Sequence, residues 1–502
     1  MARSHHIDSL NIVMAASEAV PYVKTGGLAD VAGALPVELA KLGHTVTLIV
    51  PRYRSFETDG RLLRELGAIR VRTAKGLVDA TLEEDLIPVG VAGRSVRVVA
   101  VRYDPYFDRA GLYQGPDGDF SDNLARFAFF SRAIVEVLAF LGSSHREPIS
   151  VLHLHDWQTA LAAVYLKTTE RDRALVGDVR TLLTLHNVGY QGIFPGAKFS
   201  ETGLPADLFT PAGLEFYGSV NLLKGGILFA DKVSTVSPTY AKEIMSPDGG
   251  FGLEGVLVGR RDGVVGIING IDVGSWDPET DSHLAASYSR TDLSGKAVCK
   301  KALQLELGLP NRDVPLIGVI GRLTSQKGFD LLAEILPELM AVGVQVAILG
   351  TGDRILEDRF QLLKELYSQQ IGISLKFDEG RAHRIEAGAD MLVMPSRYEP
   401  CGLTQLYSLR YGTIPIVRKT GGLADTVIPY RPSTALAGRA TGFHFSEVSA
   451  DSLLATILLA LKVYADREMW TSIQQAGMEV DCSWGRSAKL YVEAYRMLQT
   501  GV

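Results

Sequence analysis

Cysteine is scarce in this chain. Three residues, Cys299, Cys401 and Cys482, stand far apart in 502 positions, which argues against a disulfide framework or a structural zinc site and fits a reducing compartment. Long apolar runs are missing too. No window holds eighteen uncharged apolar residues, so a membrane span is not expected. The opening MARSHHIDSL has neither the apolar core of a signal peptide nor the Arg/Ser-rich length of a transit peptide, and the expected compartment is the cytoplasm. Basic runs are absent, and 51 Lys and Arg against 57 Asp and Glu leave a net charge of −6. Nucleic acid and anionic membranes are therefore poor partners. Neither GxGxxG nor the P-loop pattern occurs, which removes the usual support for dinucleotide chemistry and ATP hydrolysis.

What is present is a soluble globular profile, 46% hydrophobic and 22% charged, in a chain too long for one core. Apolar strands alternate with helical patterns. Residues 11–16 read as a buried strand, 28–42 as a helix ended by Gly43, and 45–50 as the next strand. Pro36 inside that helix predicts a kink, or a helix that begins nearer to it. Further strands are read at 97–101, 149–154, 180–185 and 232–236. The polar stretch WDPETDSH, Trp276 to His283, reads as a linker. The rhythm then restarts with strands at 314–321, 344–350, 373–377, 391–395 and 413–417. The expected fold class is α/β, two Rossmann-like domains in tandem with mostly parallel sheets. An amphipathic helix over 487–498 ends the chain, and periodicity does not say where it docks.

One heptapeptide, KTGGLAD, occurs twice, at 24–30 and 419–425. Each copy follows a strand, where open α/β sheets bind ligands. Paired glycines admit close backbone approach, a helix start favours an anion, and lysine adds a full charge. Alone, GG reads as a tight turn. RLTSQK after the strand ending near Ile320 places Arg322 and Lys327 five positions apart; alone, they are solvated charge. In EPCGLTQ, Pro400 and Gly402 precede an apolar helical run, so the backbone N–H groups of Gly402, Leu403 and Thr404 can face an anion. Glu399 before Pro400 reads alone as a surface cap. His186 and Asn187 end the strand TLLTL, and Asp156 stands in HDW, where a helix cap is the plain reading. Asn269 in NGID reads as a turn residue and Phe377 in KFDEG as core.

Taken together, KTGGLADVAGALP (24–36), HLHDW (153–157), TLHNVGYQG (184–192), INGID (268–272), GRLTSQKG (321–328) and SRYEPCGLTQLYSLRYGTIPIVRKTGGLADTV (396–427) resemble bacterial glycogen synthases and plant starch synthases, almost end to end. The resemblance implies the GT-B fold, its two domains facing a cleft. An acceptor-side domain would span 1–274, joined by a C-terminal helix at 485–502, and a nucleotide-sugar domain 275–484. It implies transfer of glucose from ADP-glucose to the non-reducing end of an α-1,4-glucan with retention. The catalytic positions it implies are His186, Glu399, Asp156, Arg322 and Lys327. Its substrate-binding positions are Lys24, Gly26, Gly27, Asp30, Asn187, Asn269, Phe377, Cys401, Gly402, Leu403 and Thr404. Arg322 and Lys327 would hold the pyrophosphate, so no metal or other cofactor is expected. Glu399 and the His186 ring would hold glucose, and the His186 carbonyl would face the anomeric carbon.

Two positions depart from relatives. Phe377 stands where many have a Tyr on adenine, and Tyr407 where related retaining transferases carry a second Glu; Tyr407 itself fits the glycogen and starch synthase branch. A double displacement needs a carboxylate beneath the anomeric carbon, and neither Asp156 nor Glu399 can be placed there from sequence. The family route, in which the leaving phosphate helps deprotonate the acceptor, is adopted as a hypothesis. Three other readings stand beside this one: a hydride-transferring Rossmann enzyme, another GT-B or UDP-glucose-using transferase, and a non-catalytic glucan-binding homologue. Lys24, His186, Lys327 and Glu399 are all present, which weighs against the last.

Overall fold

A computed structural model of the chain describes residues 9–56, 60, 62–116, 118–144, 148–170, 173, 174, 176, 178–260, 263–376 and 378–500. The first eight residues, part of the segment read for targeting signals, and Phe377 lie outside them. Among the described residues no helix is long and apolar enough to cross a membrane.

The chain divides into two units. The first takes Met1–Val236, Ala241–Ile267 and Trp484–Val502; the second takes Ser237–Tyr240 and Ile268–Ser483. The change of unit thus falls at Ile268 rather than 275. Ile271 explains the position: its N–H donates to Cys482 O at 2.8 Å, and it bridges Ser483 in parallel, so both passages of chain run side by side there.

In the first unit a nine-stranded sheet runs in the order Val264–Gly266, Lys232–Thr235, Arg180–Leu185, Val151–His155, Asn11–Ala15, Thr45–Pro51, Ser95–Arg102, Gly76–Pro88, Arg64–Thr73. The first seven pair in parallel. Numbered along the chain, they lie 3-2-1-4-5-6-7, with a switch point between Asn11–Ala15 and Val151–His155. Helix Gly27–Lys41 begins well ahead of Pro36 and continues through it, and Gly43, at φ 107°, ends it as read from the sequence. The hairpin Arg64–Thr73 and Gly76–Pro88 adds an antiparallel edge that the sequence reading missed. Its strands bury few residues, and among them are two adjacent acids, Glu84 and Asp85, of a type depleted in strands. Those acids are paired: Arg97 Nε reaches Glu84 at 2.8 Å, and the Tyr22 hydroxyl donates to Asp85 at 2.8 Å.

The C-terminal helix, Trp484–Thr500, belongs to this unit. Its buried face of Trp484, Ala488, Tyr491, Val492, Tyr495 and Leu498 joins the core formed by Leu28, Leu35, Leu39 and the first strands. The Tyr495 hydroxyl bonds His153 Nδ1 at 2.8 Å.

The second unit holds a six-stranded, wholly parallel sheet: Ile371–Ser374, Gln345–Leu349, Leu316–Ile320, Met391–Met394, Ile414–Arg418, Phe443–Phe445. In chain order this is 3-2-1-4-5-6, with its switch point between Leu316–Ile320 and Met391–Met394. The last strand, three residues long, was too short to read.

The stretch 276–283 is no linker. Trp276 is buried between His383 and Tyr407, ring centroids 3.6 and 3.7 Å away and nearly parallel. Asp277 pairs with Arg410 at 2.7 Å, and Asp281 accepts from the Tyr411 hydroxyl at 2.6 Å and faces His383 Nδ1 at 2.7 Å. Polar residues looked like solvent-exposed chain because their partners are more than a hundred positions away. Trp276→Ala should therefore lower unfolding stability by about 3–5 kcal/mol, the range for truncating a buried aromatic. Urea titration followed by tryptophan-independent circular dichroism checks this, and an unchanged midpoint would return the segment to linker status.

Candidate functional site

Parallel strands place all their carboxyl ends on one edge, and each unit assembles its polar groups there, around its switch point. In the first unit the loop after Asn11–Ala15 turns at Glu18. This carboxylate is 4% exposed and accepts from Thr25 N at 2.5 Å, Thr25 Oγ1 at 2.9 Å, Gly26 N at 3.2 Å and the Tyr113 hydroxyl at 3.0 Å. Glu18 thus shapes the first KTGG loop. Burial raises its pKa above the ordinary carboxylate value, against the hydrogen bonds from Thr25, Tyr113 and Gly26. A lone Glu has no sequence pattern, so the sequence reading missed it; its place three residues beyond a strand end was the available signal.

Lys24 and Asp30, the ends of the heptapeptide, are ion-paired at 2.7 Å and only partly covered. Gly26 is extended, and a Cβ added there meets nothing within 4 Å, so the protein's own packing does not ask for glycine. Gly27 opens the helix.

Across the switch point, Asp156 precedes helix Trp157–Lys167 at the cap position, but its side chain does not cap. It accepts instead from His186 N at 2.7 Å, on the neighbouring strand end. Its backbone, at φ 56° and ψ −172°, lies in a region that is essentially glycine-only. The cap reading therefore fails. Burial pushes its carboxyl up to about 7, opposed by hydrogen bonds from the backbone of His186 and Asn187 and reinforced by the Glu18 charge. His186 Nε2 lies 2.9 Å from His155 Nδ1, and burial takes the His186 pKa down to about 3, so the ring is neutral at physiological pH. Asn187 turns its side-chain oxygen to Gly189 N at 2.9 Å. The first unit thus gathers Asp156, His186 and Asn187 in one cluster, and ties Lys24, Gly26, Gly27 and Asp30 into one loop through Glu18.

In the second unit, the loop after Leu316–Ile320 carries Arg322, exposed, and Lys327, which ends a short 3-10 turn. Lys327 Nζ donates to Glu399 Oε2 at 2.6 Å, and Ser396 Oγ donates to the same oxygen at 3.0 Å. Glu399 is 5% exposed. It is a counter-ion held at the switch point, not a surface cap, and Lys327 is correspondingly more than solvated charge. The two loops are locked together by Arg397, which binds Asp330 through two 2.7 Å contacts, and by Gly328, where a Cβ would stand 2.0 Å from Pro395 O.

Beyond Glu399, Cys401 is buried, and burial pushes its thiol up to about 12 despite a hydrogen bond from the Asn269 backbone. Asn269 is itself buried, and its Oδ1 has no partner among the described residues. Gly402, at φ 74°, and Leu403 lead into the helix Thr404–Arg410. The second KTGGLAD buttresses this loop. Gly422 N donates to Glu399 O and Pro400 O, both at 3.1 Å, and a Cβ on Gly421 or Gly422 would stand about 2 Å from Glu399 O or Cys401 O. Its Asp425 accepts from Ser237 Oγ at 2.5 Å and Thr239 N at 2.9 Å. Tyr407, noted as a departure from other transferases, stacks on Trp276.

Comparison with known proteins agrees with this arrangement. Residues 11–259 match the family described as starch synthase catalytic domain, and residues 306–476 match glycosyl transferases group 1. The glycogen synthase of Koribacter versatilis (strain Ellin345) is 44% identical over 486 residues, covering 97% of this chain and 98% of that one. That of Anaeromyxobacter sp. (strain Fw109-5) is 46% identical over 492 residues, covering 97% and 99%. Among solved structures, the catalytic domain of starch synthase IV from Arabidopsis thaliana, bound to ADP and acarbose, superposes with a TM-score of 0.88 at 33% identity, over 98% of this chain and 100% of that one. Sucrose-phosphate synthase from Thermosynechococcus elongatus, at 17% identity and a TM-score of 0.59 over 98% and 100%, shares the fold alone. With two Rossmann-like units, a Lys–Glu pair at the switch point of the second and an Asp–His cluster at that of the first, the chain belongs to the glycogen and starch synthase family of GT-B glycosyltransferases.

Proposed function

We propose that this protein elongates glycogen in the cytoplasm by transferring glucose from ADP-glucose to the non-reducing end of an α-1,4-glucan, with retention of configuration. The observation that carries the reading is the Lys327–Glu399 pair at the second unit's switch point, with Arg322 on the same loop. ADP as the leaving group follows from the likeness to a starch synthase whose structure holds ADP.

Cleavage of the donor places growing negative charge on its pyrophosphate, and preorganised cations lower that barrier. Lys327 has three N–H donors and spends one on Glu399, leaving others for phosphate. Glu399, fixed by Lys327 and Ser396, is placed to accept from glucose hydroxyls. The N–H groups of Gly402, Leu403 and Thr404 offer dipoles to the distal phosphate, with Cys401 and Asn269 shaping that loop. On the first unit, Lys24 contributes the phosphate contact, Gly26 and Gly27 allow approach, and Asp30 holds the lysine in place. His186 and Asn187 hold the sugar, and Asp156 holds the His186 backbone whose carbonyl faces the anomeric carbon. The chain supplies its charge through side chains, so no metal takes part.

The direct test supplies glycogen with each nucleotide sugar and measures nucleotide release with incorporation of labelled glucose. ADP-glucose should be preferred, and chelation of divalent metals should leave most activity. Activity with UDP-glucose alone, or a strict magnesium or manganese requirement, would overturn the respective assignment.

Lys327→Ala should lower turnover by roughly a hundred- to a thousandfold, the effect of removing one transition-state electrostatic contact. It should also destabilise the protein by about 1–3 kcal/mol, because the buried Glu399 carboxylate loses its partner. The double variant Lys327→Ala/Glu399→Gln should recover stability without recovering turnover. Recovery of both would make the lysine structural.

The two heptapeptides should respond unequally. Lys24→Ala should raise the apparent donor KM and reduce turnover, while glycogen binding without donor stays unchanged. Lys419→Ala should do less, since its copy buttresses the Glu399 loop and Arg322 and Lys327 remain on that unit. Equal losses, or a larger loss from Lys419→Ala, would reverse this assignment.

A further inference from the structure

Three histidines meet in the first unit, and the sequence reading used only one. His153 and His155 alternate along Val151–His155 and so share a face of the sheet; their ring centroids lie 4.1 Å apart. His186 follows the adjacent parallel strand, in which Thr184 lies opposite His155. His153 is satisfied at both nitrogens, by the Tyr495 hydroxyl at 2.8 Å and by Thr184 Oγ1 at 2.6 Å, which in turn meets Ser234 Oγ at 2.7 Å. Hydroxyls donate or accept, so either tautomer of His153 suits. His155 is different. Its Nδ1 faces His186 Nε2 at 2.9 Å, and its Nε2 is buried with no partner among the described residues.

This arrangement discriminates between tautomers. Burial holds both rings of the pair neutral, so one proton lies between His155 Nδ1 and His186 Nε2. If His186 donated that proton, the proton of His155 would sit on its Nε2, a buried N–H with no acceptor. Orphaned buried N–H groups are rare. If His155 donates, its Nε2 carries a lone pair and strands no N–H, and the proton of His186 sits on Nδ1.

We propose that His155 is a positioning residue that donates through Nδ1 to His186 Nε2 and fixes His186 as the Nδ1–H tautomer. The ring then offers an N–H donor, and no lone pair, to a sugar oxygen. The role of a second imidazole here parallels that of the groups that orient a metal-bound or catalytic histidine from behind. It rests on the reading of His186 as a sugar-facing residue, but its first test does not.

That test is a long-range proton–nitrogen correlation spectrum of the full chain labelled with nitrogen-15 histidine, with His155 and His186 assigned by the signals lost in His155→Asn and His186→Gln. The expected pattern has His186 protonated at Nδ1 and bare at Nε2, and His155 protonated at Nδ1. A His186 proton on Nε2 overturns the proposal. In kinetics, His155→Leu should lower kcat on the order of ten- to a hundredfold, the usual effect of losing an orienting partner. His155→Asn, whose amide nitrogen stands near the place of Nδ1, should recover most of that loss. An unchanged kcat in His155→Leu, or an equal loss in His155→Asn with the fold intact by circular dichroism, also overturns it. If His155→Leu fails to fold, the spectrum of the unaltered protein and the His155→Asn kinetics decide. If the chain turns over no nucleotide sugar, the functional reading fails while the spectrum still settles the tautomer.

Discussion

Parallel pairing is the constraint on which the rest of the structure depends. A strand cannot turn directly into its parallel neighbour; the chain must cross over, usually through a helix, and start again from the same side. All carboxyl ends therefore open on one edge, and where the strand order reverses, two loops part and leave room for a ligand. Both units obey this, with orders beginning 3-2-1-4-5-6. In the first, the loops that part are those of Glu18 and Asp156; in the second, those of Lys327 and Glu399. Residues 72 positions apart become an ion pair because the two strands preceding them are neighbours.

The repeated heptapeptide shows how one sequence serves two physical ends. In the first copy the glycine before the helix faces open space, the lysine pairs within the heptapeptide, and a buried glutamate holds the loop by its N–H groups. In the second copy the glycines are pressed against the Glu399–Cys401 backbone, where a methyl group has no room, and the aspartate is spent on Ser237 and Thr239. Identical residues are thus exposed in one setting and packed in the other. Only the surrounding chain decides which.

The central strands were legible because burial on both faces demands unbroken apolar runs, as in TVTLIV and VQVAILG. The edge hairpin was not, since Glu84 and Asp85 are paid for by distant arginine and tyrosine partners. Trp276–His283 was misread for the same reason: Asp277 and Asp281 look solvated until Arg410, Tyr411 and His383 are placed beside them. Within the site, motif positions such as His186 and Lys327 were legible. His155, which faces His186, and Glu18, which holds the Thr25–Gly26 loop, were not, because a hydrogen bond between strand ends or within a loop leaves no periodic trace in the chain.

The C-terminal helix has a consequence for biosynthesis. The first unit needs Trp484, Tyr491 and Tyr495 to complete the core around Leu35 and Leu39, and needs Tyr495 to satisfy His153. Those residues follow the second unit in the chain. The second unit, with Ile268–Ser483, leaves the ribosome before them, so the first unit is completed only after the second has been made. Until that helix emerges, a nascent chain leaves uncovered the apolar face of helix Gly27–Lys41 that Trp484–Thr500 will cover, the kind of exposed surface that makes incomplete chains prone to aggregate.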